Sequence, residues 1–242
     1  MSPTGTEGSA ASSAAVVAAF DFDGTLTHGG SVVPFLVRVG GRRVVAGALV
    51  HALPALACSA LLGGSWADRA KERLFERVLA GVPADHAAQA GAEFAADHVG
   101  RRLRPDARAR LAWHRARGHR VVVVSASPDL YVTPAAALVG AEAALATRLE
   151  VSGGALTGRY DGGNCRGARK YARVAEWMRA EGLERSATVL WAYGNSRGDR
   201  ALLRAADHGV DAGLLGKLGR LRRYPRLSDV MRSAELHAGS RD

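Results

Sequence analysis

Cysteine is scarce in this sequence of 242 residues, which contains only Cys58 and Cys165. They lie far apart, and neither has a second cysteine or a histidine at the spacing of zinc ligands. Neither a structural zinc site nor a disulfide framework is therefore predicted. Hydrophobic residues make up 48% of the chain and charged residues 23%, values typical of globular proteins that argue against a disordered or fibrous chain.

A secretory signal is also lacking, because no basic residues introduce an apolar stretch at the start of the sequence. Residues Met1 to Ser13 are rich in serine, alanine, threonine and glycine without a periodic apolar face. We interpret 1–13 as a flexible leader. The missing signal and the low cysteine content favour a cytoplasmic location.

The formal charge of +10 comes largely from arginines scattered along the chain. A solvated basic surface is one explanation, and an anionic partner is the other. No nucleic-acid-binding motif is present, so no nucleic-acid partner is expected. Peripheral contact with a membrane surface stays open for one concentrated basic segment within a predicted basic tail, 217–242. This segment contains Lys217, Arg220, Arg222, Arg223 and Arg226.

Short apolar runs that end in polar turns predict the strands of a parallel sheet. Val16 to Phe22 ends in an Asp-x-Asp-Gly-Thr turn, Val121 to Val124 ends in Ser125, and Thr188 to Tyr193 ends in Gly-Asn-Ser. A fourth strand is expected at 208–210, and helices are expected at 104–117, 130–139 and 170–181. This alternation indicates an α/β fold with a Rossmann-like parallel sheet sandwiched by helices, which binds ligands beyond the carboxyl ends of its strands.

About a hundred residues between the first two strands show no strand pattern, which is too long for a structureless loop. Residues 68–97 have helical periodicity, so an inserted helical cap is predicted. Its first half contains Val44 to Leu62, an uncharged stretch that just reaches the length needed to cross a bilayer. His51 and Pro54 weaken that interpretation. A pair of cap helices and a membrane-docked hairpin are the two alternatives.

The turn after the first strand places two carboxylates, Asp21 and Asp23, two residues apart. A carboxylate can attack phosphorus only if another group protonates the leaving oxygen and later activates water. Asp21 as the nucleophile and Asp23 as the general acid and base are the roles that the family resemblance described below implies, and this chemistry agrees with them; Gly24 allows the sharp turn. An Asp-rich turn without any chemistry is the alternative.

Four segments in order resemble the motifs of the haloacid dehalogenase (HAD) superfamily: 21–27, the strand that ends in Ser125, Lys170 with its preceding turn, and 194–199. The resemblance implies a HAD core with a magnesium-dependent phosphatase activity. Ser125 and Lys170 would bind the phosphoryl group. Magnesium would be held by the Asp21 side chain, the Asp23 carbonyl, Asn195 and Asp199.

Further segments, among them 125–128, 146–150, 156–158 and 163–167, resemble subfamily IB, the phosphoserine-phosphatase-like group. This implies a core at 14–27 and 105–216 and a helical cap of the C1 type at 28–104. Asn164 and Arg166 either order the phosphate-binding loop or only form the turn before Lys170. Two features depart from the pattern: Asn195 stands where many relatives carry aspartate, and residues 28–35 lack the acid that meets the amine of phosphoserine.

The resemblance implies hydrolysis of a small or lipid-like phosphomonoester, and the alternative is a regulatory or scaffold protein on the same fold. The lipid-like substrate is suggested by apolar residues at the start of the cap, which would accept an acyl chain better than a zwitterion. These residues are Val32, Val33, Phe35 and Leu36, together with the stretch 44–62.

Overall fold

The computed structural model describes residues 14–62, 64–213 and 224–238. The predicted leader and most of the concentrated basic segment therefore lie outside the described residues. The described chain folds as an α/β protein with one six-stranded sheet in the order β4-β3-β2-β1-β5-β6. The strands are β1 (Ala15–Phe20), β2 (Arg120–Pro128), β3 (Ala143–Ser152), β4 (Ala155–Asp161), β5 (Thr188–Gly194) and β6 (His208–Asp211).

The centre of the sheet is parallel and surrounds β1. Strand β1 pairs in parallel with β2 on one side and with β5 on the other, and β6 continues the parallel order beyond β5. All six residues of β1 are apolar and its last four are buried, as expected for a strand covered on both faces. The four predicted strands and the predicted fold class are confirmed.

Helices cover both faces of the sheet. Helices α4 (Pro105–Arg115) and α5 (Asp129–Leu138) pack with Ala18 and Phe20 on one face. Helices α6 (Ala168–Ala180) and α7 (Arg200–Ala205) pack with Val17 and Ala19 on the other. The alternation of side chains along β1 therefore divides the core into two apolar layers.

Three helices lie between β1 and α4, within the segment predicted as a cap: α1 (Val32–Leu62), α2 (Gly64–Leu79) and α3 (Ala84–Arg102). Helix α1 is kinked at Gly41, which has a φ of 79° that disfavours other residues. The prediction of a helix pair or hairpin within 44–62 is wrong, because these residues form one helical segment after the kink. Among the described residues no helix has the length and apolarity to cross a membrane.

The helical stretch predicted at 68–97 is also two helices rather than one. Helix α2 ends at Leu79, Gly81 adopts a φ of 81°, and Pro83 precedes α3. Periodicity alone did not reveal this break, since apolar residues continue on both sides of it. The reversal lets α2 pack against both α1 and β4, so that Leu74, Phe75 and Leu156 share one apolar cluster.

Strands β3 and β4 and helices α7 and α8 (Leu227–Ala238) were not predicted. Strands β3 and β4 form an antiparallel hairpin that extends the sheet beyond β2. In the predicted tail, α8 begins with the buried Leu227, and Arg226 forms a β-bridge with Asp211. Part of the segment predicted as a basic tail is therefore packed against the core.

Candidate active site

The two predicted carboxylates lie at the carboxyl end of the central strand. Asp21 follows β1 directly and is 6% exposed. Its amide donates to the carbonyl of Tyr193 at 2.9 Å, and its Oδ2 accepts from Thr25 Oγ1 at 3.0 Å. Asp23 stands two residues further along the turn, so the end of β1 brings both groups to one edge of the sheet.

Gly24 is required at this turn for two reasons. Its φ is 77°, a conformation that a side chain disfavours. A Cβ atom at this position would also lie 1.9 Å from Nδ2 of Asn195. The glycine therefore allows the loops after β1 and β5 to approach each other.

Ser125 lies in β2, the strand next to β1, and is 1% exposed. Its Oγ accepts a hydrogen bond from the amide of Ser127 at 3.0 Å. Ser127 in turn donates from its own hydroxyl to Oδ2 of Asp23 at 2.5 Å. The predicted phosphate-binding serine is thus at the expected edge, and Ser127 is a further polar group that the sequence analysis did not select.

Lys170 reaches the same edge from the first turn of α6. Its Nζ lies 2.5 Å from Oδ1 of Asp21 and also donates to Oδ1 of Asp199. The side chain is 2% exposed, so the ammonium is almost completely removed from water. Such a buried cation is tolerated because two carboxylates surround it. The preceding residue, Arg169, does not take part in this cluster and donates to the Gly162 carbonyl at 3.5 Å.

Asn195 and Asp199 follow β5. The side-chain amide of Asn195 donates from Nδ2 to the carbonyl of Asp23 at 3.1 Å. Oδ2 of Asp199 accepts from the amides of Asn195 and Ser196 at 3.2 and 2.9 Å. Asp199 therefore both holds the loop that carries Asn195 and contacts Lys170.

The charges of this cluster are unbalanced, and the pKa values reflect it. The pKa of Asp21 is raised to about 7 by burial and by the charge of Asp199, against the opposing effect of Lys170. Burial also acts to raise the pKa of Asp199, but the charge and hydrogen bond of Lys170 lower it below its ordinary value. Although burial opposes it, Asp199 and Asp21 raise the pKa of Lys170. One lysine thus faces two carboxylates.

The donor atoms at this edge fit magnesium. The Asp21 carboxylate, the Asp23 carbonyl and the Asn195 side chain lie together and offer oxygen, the ligand that magnesium prefers, while water supplies the remaining positions. Within the described residues no group of three histidine, cysteine or acidic side chains could hold a metal ion. The three oxygen-bearing groups are nevertheless suitable ligands. A rotation of the Asn195 side-chain amide by 180° places Oδ1 where Nδ2 now lies, beside the Asp23 carbonyl.

A cleft of about 390 Å³ opens over these residues. Lys71 of α2 reaches into it and donates to the carbonyl of Ala126 at 2.6 Å. Burial lowers the pKa of Lys71 to about 8. Arg166 also lines the cleft and lies 3.6 Å from Asp68 of α2. Lys71 escaped sequence analysis because it resembles the other charged residues on the polar face of an amphipathic helix.

Asn164 connects the core to the cap. Its Nδ2 donates to Asp68 at 2.7 Å, and its Oδ1 accepts from Thr147 Oγ1 at 2.9 Å. Thr147 Oγ1 also lies 2.7 Å from the carbonyl of Ala126, next to Ser125. These contacts favour the interpretation that Asn164 orders the phosphate-binding loop rather than only forming a turn.

The apolar lining predicted for the cap is wrong for most of the residues named. Phe35 and Leu36 are fully buried in the apolar clusters, and Val33 is 41% exposed at the surface. Among the members of the predicted set whose side chains the structure describes, only Val32 lines the cleft, together with polar and charged residues. Phe35 and Leu36 face inward because they fill the space between the cap and the core.

Comparison with known proteins gives a consistent result. The family model for haloacid dehalogenase-like hydrolases matches residues 18–204. Protein CicA of Caulobacter vibrioides is 37% identical over 195 residues, covering 79% of this chain and 83% of that protein. The residues matched by the family model include all six candidate residues, from Asp21 to Asp199.

Solved structures share the fold. A protein of unknown function from Bordetella pertussis Tohama I has 24% identity and a TM-score of 0.74, covering 88% of this chain and 98% of its own. A phospho-aspartyl intermediate analogue of phosphoserine phosphatase has 20% identity and a TM-score of 0.57, covering 82% and 86%. At these identities the likeness establishes the α/β fold with its cap region.

Proposed function

Because this chain belongs to the haloacid dehalogenase-like hydrolase family, we propose that it is a magnesium-dependent phosphatase that hydrolyses a small phosphomonoester through a phosphorylated Asp21. The observation that carries the proposal is the position of Asp21. It is buried at the end of β1, contacts Lys170 at 2.5 Å, and forms the floor of a cleft lined by Asp23 and Ser125. A nucleophile, an acid and phosphate-binding groups therefore meet at one edge of the sheet.

In the first step, a carboxylate oxygen of Asp21 forms a bond to phosphorus while the bond from phosphorus to the leaving oxygen breaks. Asp23 transfers a proton to that oxygen, so the product leaves as a neutral alcohol. Lys170 and the hydroxyl of Ser125 stabilise the charge on the phosphoryl oxygens.

In the second step, Asp23 removes a proton from water, and the water oxygen forms a bond to phosphorus. The bond from phosphorus to Asp21 breaks, which releases phosphate and restores the free carboxylate. When bound, magnesium would supply positive charge to the phosphoryl oxygens, held by Asp21, the Asp23 carbonyl and Asn195, with Asp199 as the remaining predicted ligand. Both oxygens of Asp199 already accept hydrogen bonds, which supports a role in ordering this set.

The cleft favours a small, polar substrate over a lipid-like one. Its described lining contains only Val32 and Ala126 as apolar residues, whereas Lys71 and Arg166 add positive charge near its mouth. An acyl chain would find little apolar surface there, and an anionic leaving group would find a partner. Phosphoserine itself remains disfavoured, since residues 28–35 contain no acid to meet its amine.

A substrate panel tests the proposal. The purified protein is assayed with p-nitrophenyl phosphate, phosphoserine, a sugar phosphate and lysophosphatidate, with magnesium and with EDTA. We expect magnesium-dependent turnover, fastest on a small substrate, and complete loss in Asp21→Asn. The matched control is Asp85→Asn, which removes an exposed carboxylate in α3. If no substrate is turned over under any condition, the regulatory or scaffold alternative is favoured instead.

A further inference from the structure

The carboxylate of Asp23 has a single hydrogen-bond partner among the described residues. The hydroxyl of Ser127 donates to its Oδ2 at 2.5 Å. Its Oδ1 is buried and has no partner in the described part of the chain. Ser127 therefore determines the direction in which this carboxylate points, because no other hydrogen bond among the described residues holds the Asp23 side chain in one rotamer.

Two further buried hydroxyl groups lie next to the contact between Ser127 and Asp23. The hydroxyl of Tyr131 in α5 lies near the Ser127 side chain. That hydroxyl lies 2.8 Å from the hydroxyl of Ser31, just before α1. Ser31 and Tyr131 are fully buried and Ser127 is 2% exposed. Water therefore does not replace these contacts.

The single hydroxyl proton of Ser127 is donated to Asp23. Between Tyr131 and Ser31 either hydroxyl can be the donor. Burial holds the pKa of Tyr131 well above its ordinary value, so the phenol keeps its proton and stays neutral near Ser127.

The ring of Tyr131 is held in place by aromatic residues. Its centroid lies 4.7 Å from that of Phe35 and 5.1 Å from that of Phe94, both in cap helices. It also lies 6.3 Å from Phe22, between the two catalytic carboxylates in sequence. Such edge and tilted contacts fix the ring and hence its hydroxyl.

We propose that Ser127 is a positioning residue that holds the Asp23 carboxylate where it exchanges a proton with the leaving oxygen. This inference rests on the proposed phosphatase function. It assigns a function to the second serine of the segment after Val124.

The dependence of the rate on the leaving group tests this role. A p-nitrophenolate leaves with little help, whereas an alkoxide must be protonated as it leaves. We compare kcat/KM for p-nitrophenyl phosphate and β-glycerophosphate, because kcat/KM reports the steps up to loss of the alcohol. Ser127→Ala should lower kcat/KM for β-glycerophosphate about tenfold more than for p-nitrophenyl phosphate.

Matched variants separate positioning from a loss of structure. Tyr160→Phe removes the hydroxyl of another half-buried tyrosine, one that contacts the carbonyl of Asp68, and should leave the ratio unchanged. Ser127→Thr retains the hydroxyl and should restore the wild-type ratio. An equal loss on both substrates in Ser127→Ala overturns the inference while leaving the phosphatase proposal intact. A wild-type protein inactive on both substrates refutes the proposed function, and this inference with it.

Discussion

The ammonium nitrogen of Lys170 lies 2.5 Å from Oδ1 of Asp21, although 149 residues separate them in sequence. The same nitrogen contacts Asp199, so one positive charge is shared by two buried carboxylates. Burial raises the pKa of Asp21 to about 7, and the charge of Asp199 contributes to this increase. A bound cation would remove the imbalance, because it favours the ionised form of the nucleophile.

The effect of magnesium on stability should therefore depend on pH. The pKa of folded Asp21 lies above the value of 3.8 expected after unfolding. Without metal, its ionisation thus destabilises the fold as the pH rises toward about 7. Magnesium binds the ionised form, so the increase in Tm caused by magnesium should be larger at about pH 8 than at about pH 5.5. Thermal unfolding at both pH values, with and without magnesium, measures this difference.

The control for this prediction is Asp21→Asn, which removes the titrating group and one metal ligand. Its Tm should respond little to magnesium at either pH. In the absence of metal it should be at least as stable as the wild type near neutral pH, because a carboxylate that is costly to ionise has been replaced. A wild-type protein whose response to magnesium is the same at both pH values contradicts the assignment of Asp21 as a ligand.

Replacement of Asn195 should separate stability from metal affinity. In Asn195→Asp a carboxylate would face the carbonyl of Asp23, which now accepts a hydrogen bond from Nδ2 at 3.1 Å. Without metal this repulsion should lower Tm. With metal, the added charge should lower the magnesium concentration for half-maximal activity by about tenfold. Titration of activity with magnesium measures the change, and an unchanged or higher requirement would argue against Asn195 as a ligand.

Lys71 should make the activity fall at alkaline pH. Burial lowers its pKa to about 8, so its positive charge is lost as the pH rises through that value. The kcat/KM of the wild type should then fall above about pH 8, whereas Lys71→Arg stays charged and should lack this decrease. Lys71→Met should be about tenfold less active near neutral pH. A Met variant with the same alkaline decrease as the wild type would show that another group causes it.

Arg104 should stabilise the turn that carries Asp23. Its side chain is 3% exposed, donates to the carbonyl of Gly24 at 2.7 Å and pairs with Asp106 at 2.6 Å. Arg104→Met leaves the Gly24 carbonyl without this donor, so the free energy of unfolding should fall by about 2 kcal/mol. The control Arg101→Met changes an arginine whose side chain is 80% exposed, and should alter stability by less than about 0.5 kcal/mol. Denaturant unfolding of both variants makes the comparison.

Local patterns in the sequence predicted the centre of the molecule well. The apolar runs of β1, β2 and β5 are continuous because these strands are covered on both faces, and each ends in a polar turn. The hairpin of β3 and β4 was missed for the opposite reason. It leaves the centre of the sheet, and much of its second half is exposed, so its residues show neither a continuous apolar run nor a clear alternation.

The sequence by itself determined the family, four of the six described strands and the six candidate residues. These follow from residue types at short spacing. The tertiary structure alone decided which side chains meet across long separations: Lys71 beside Ala126, Arg104 beside Gly24, and Ser127 beside Asp23. It also turned Phe35 inward, away from the cleft. Periodicity identifies which face of a helix is apolar, but the neighbouring elements decide what that face contacts.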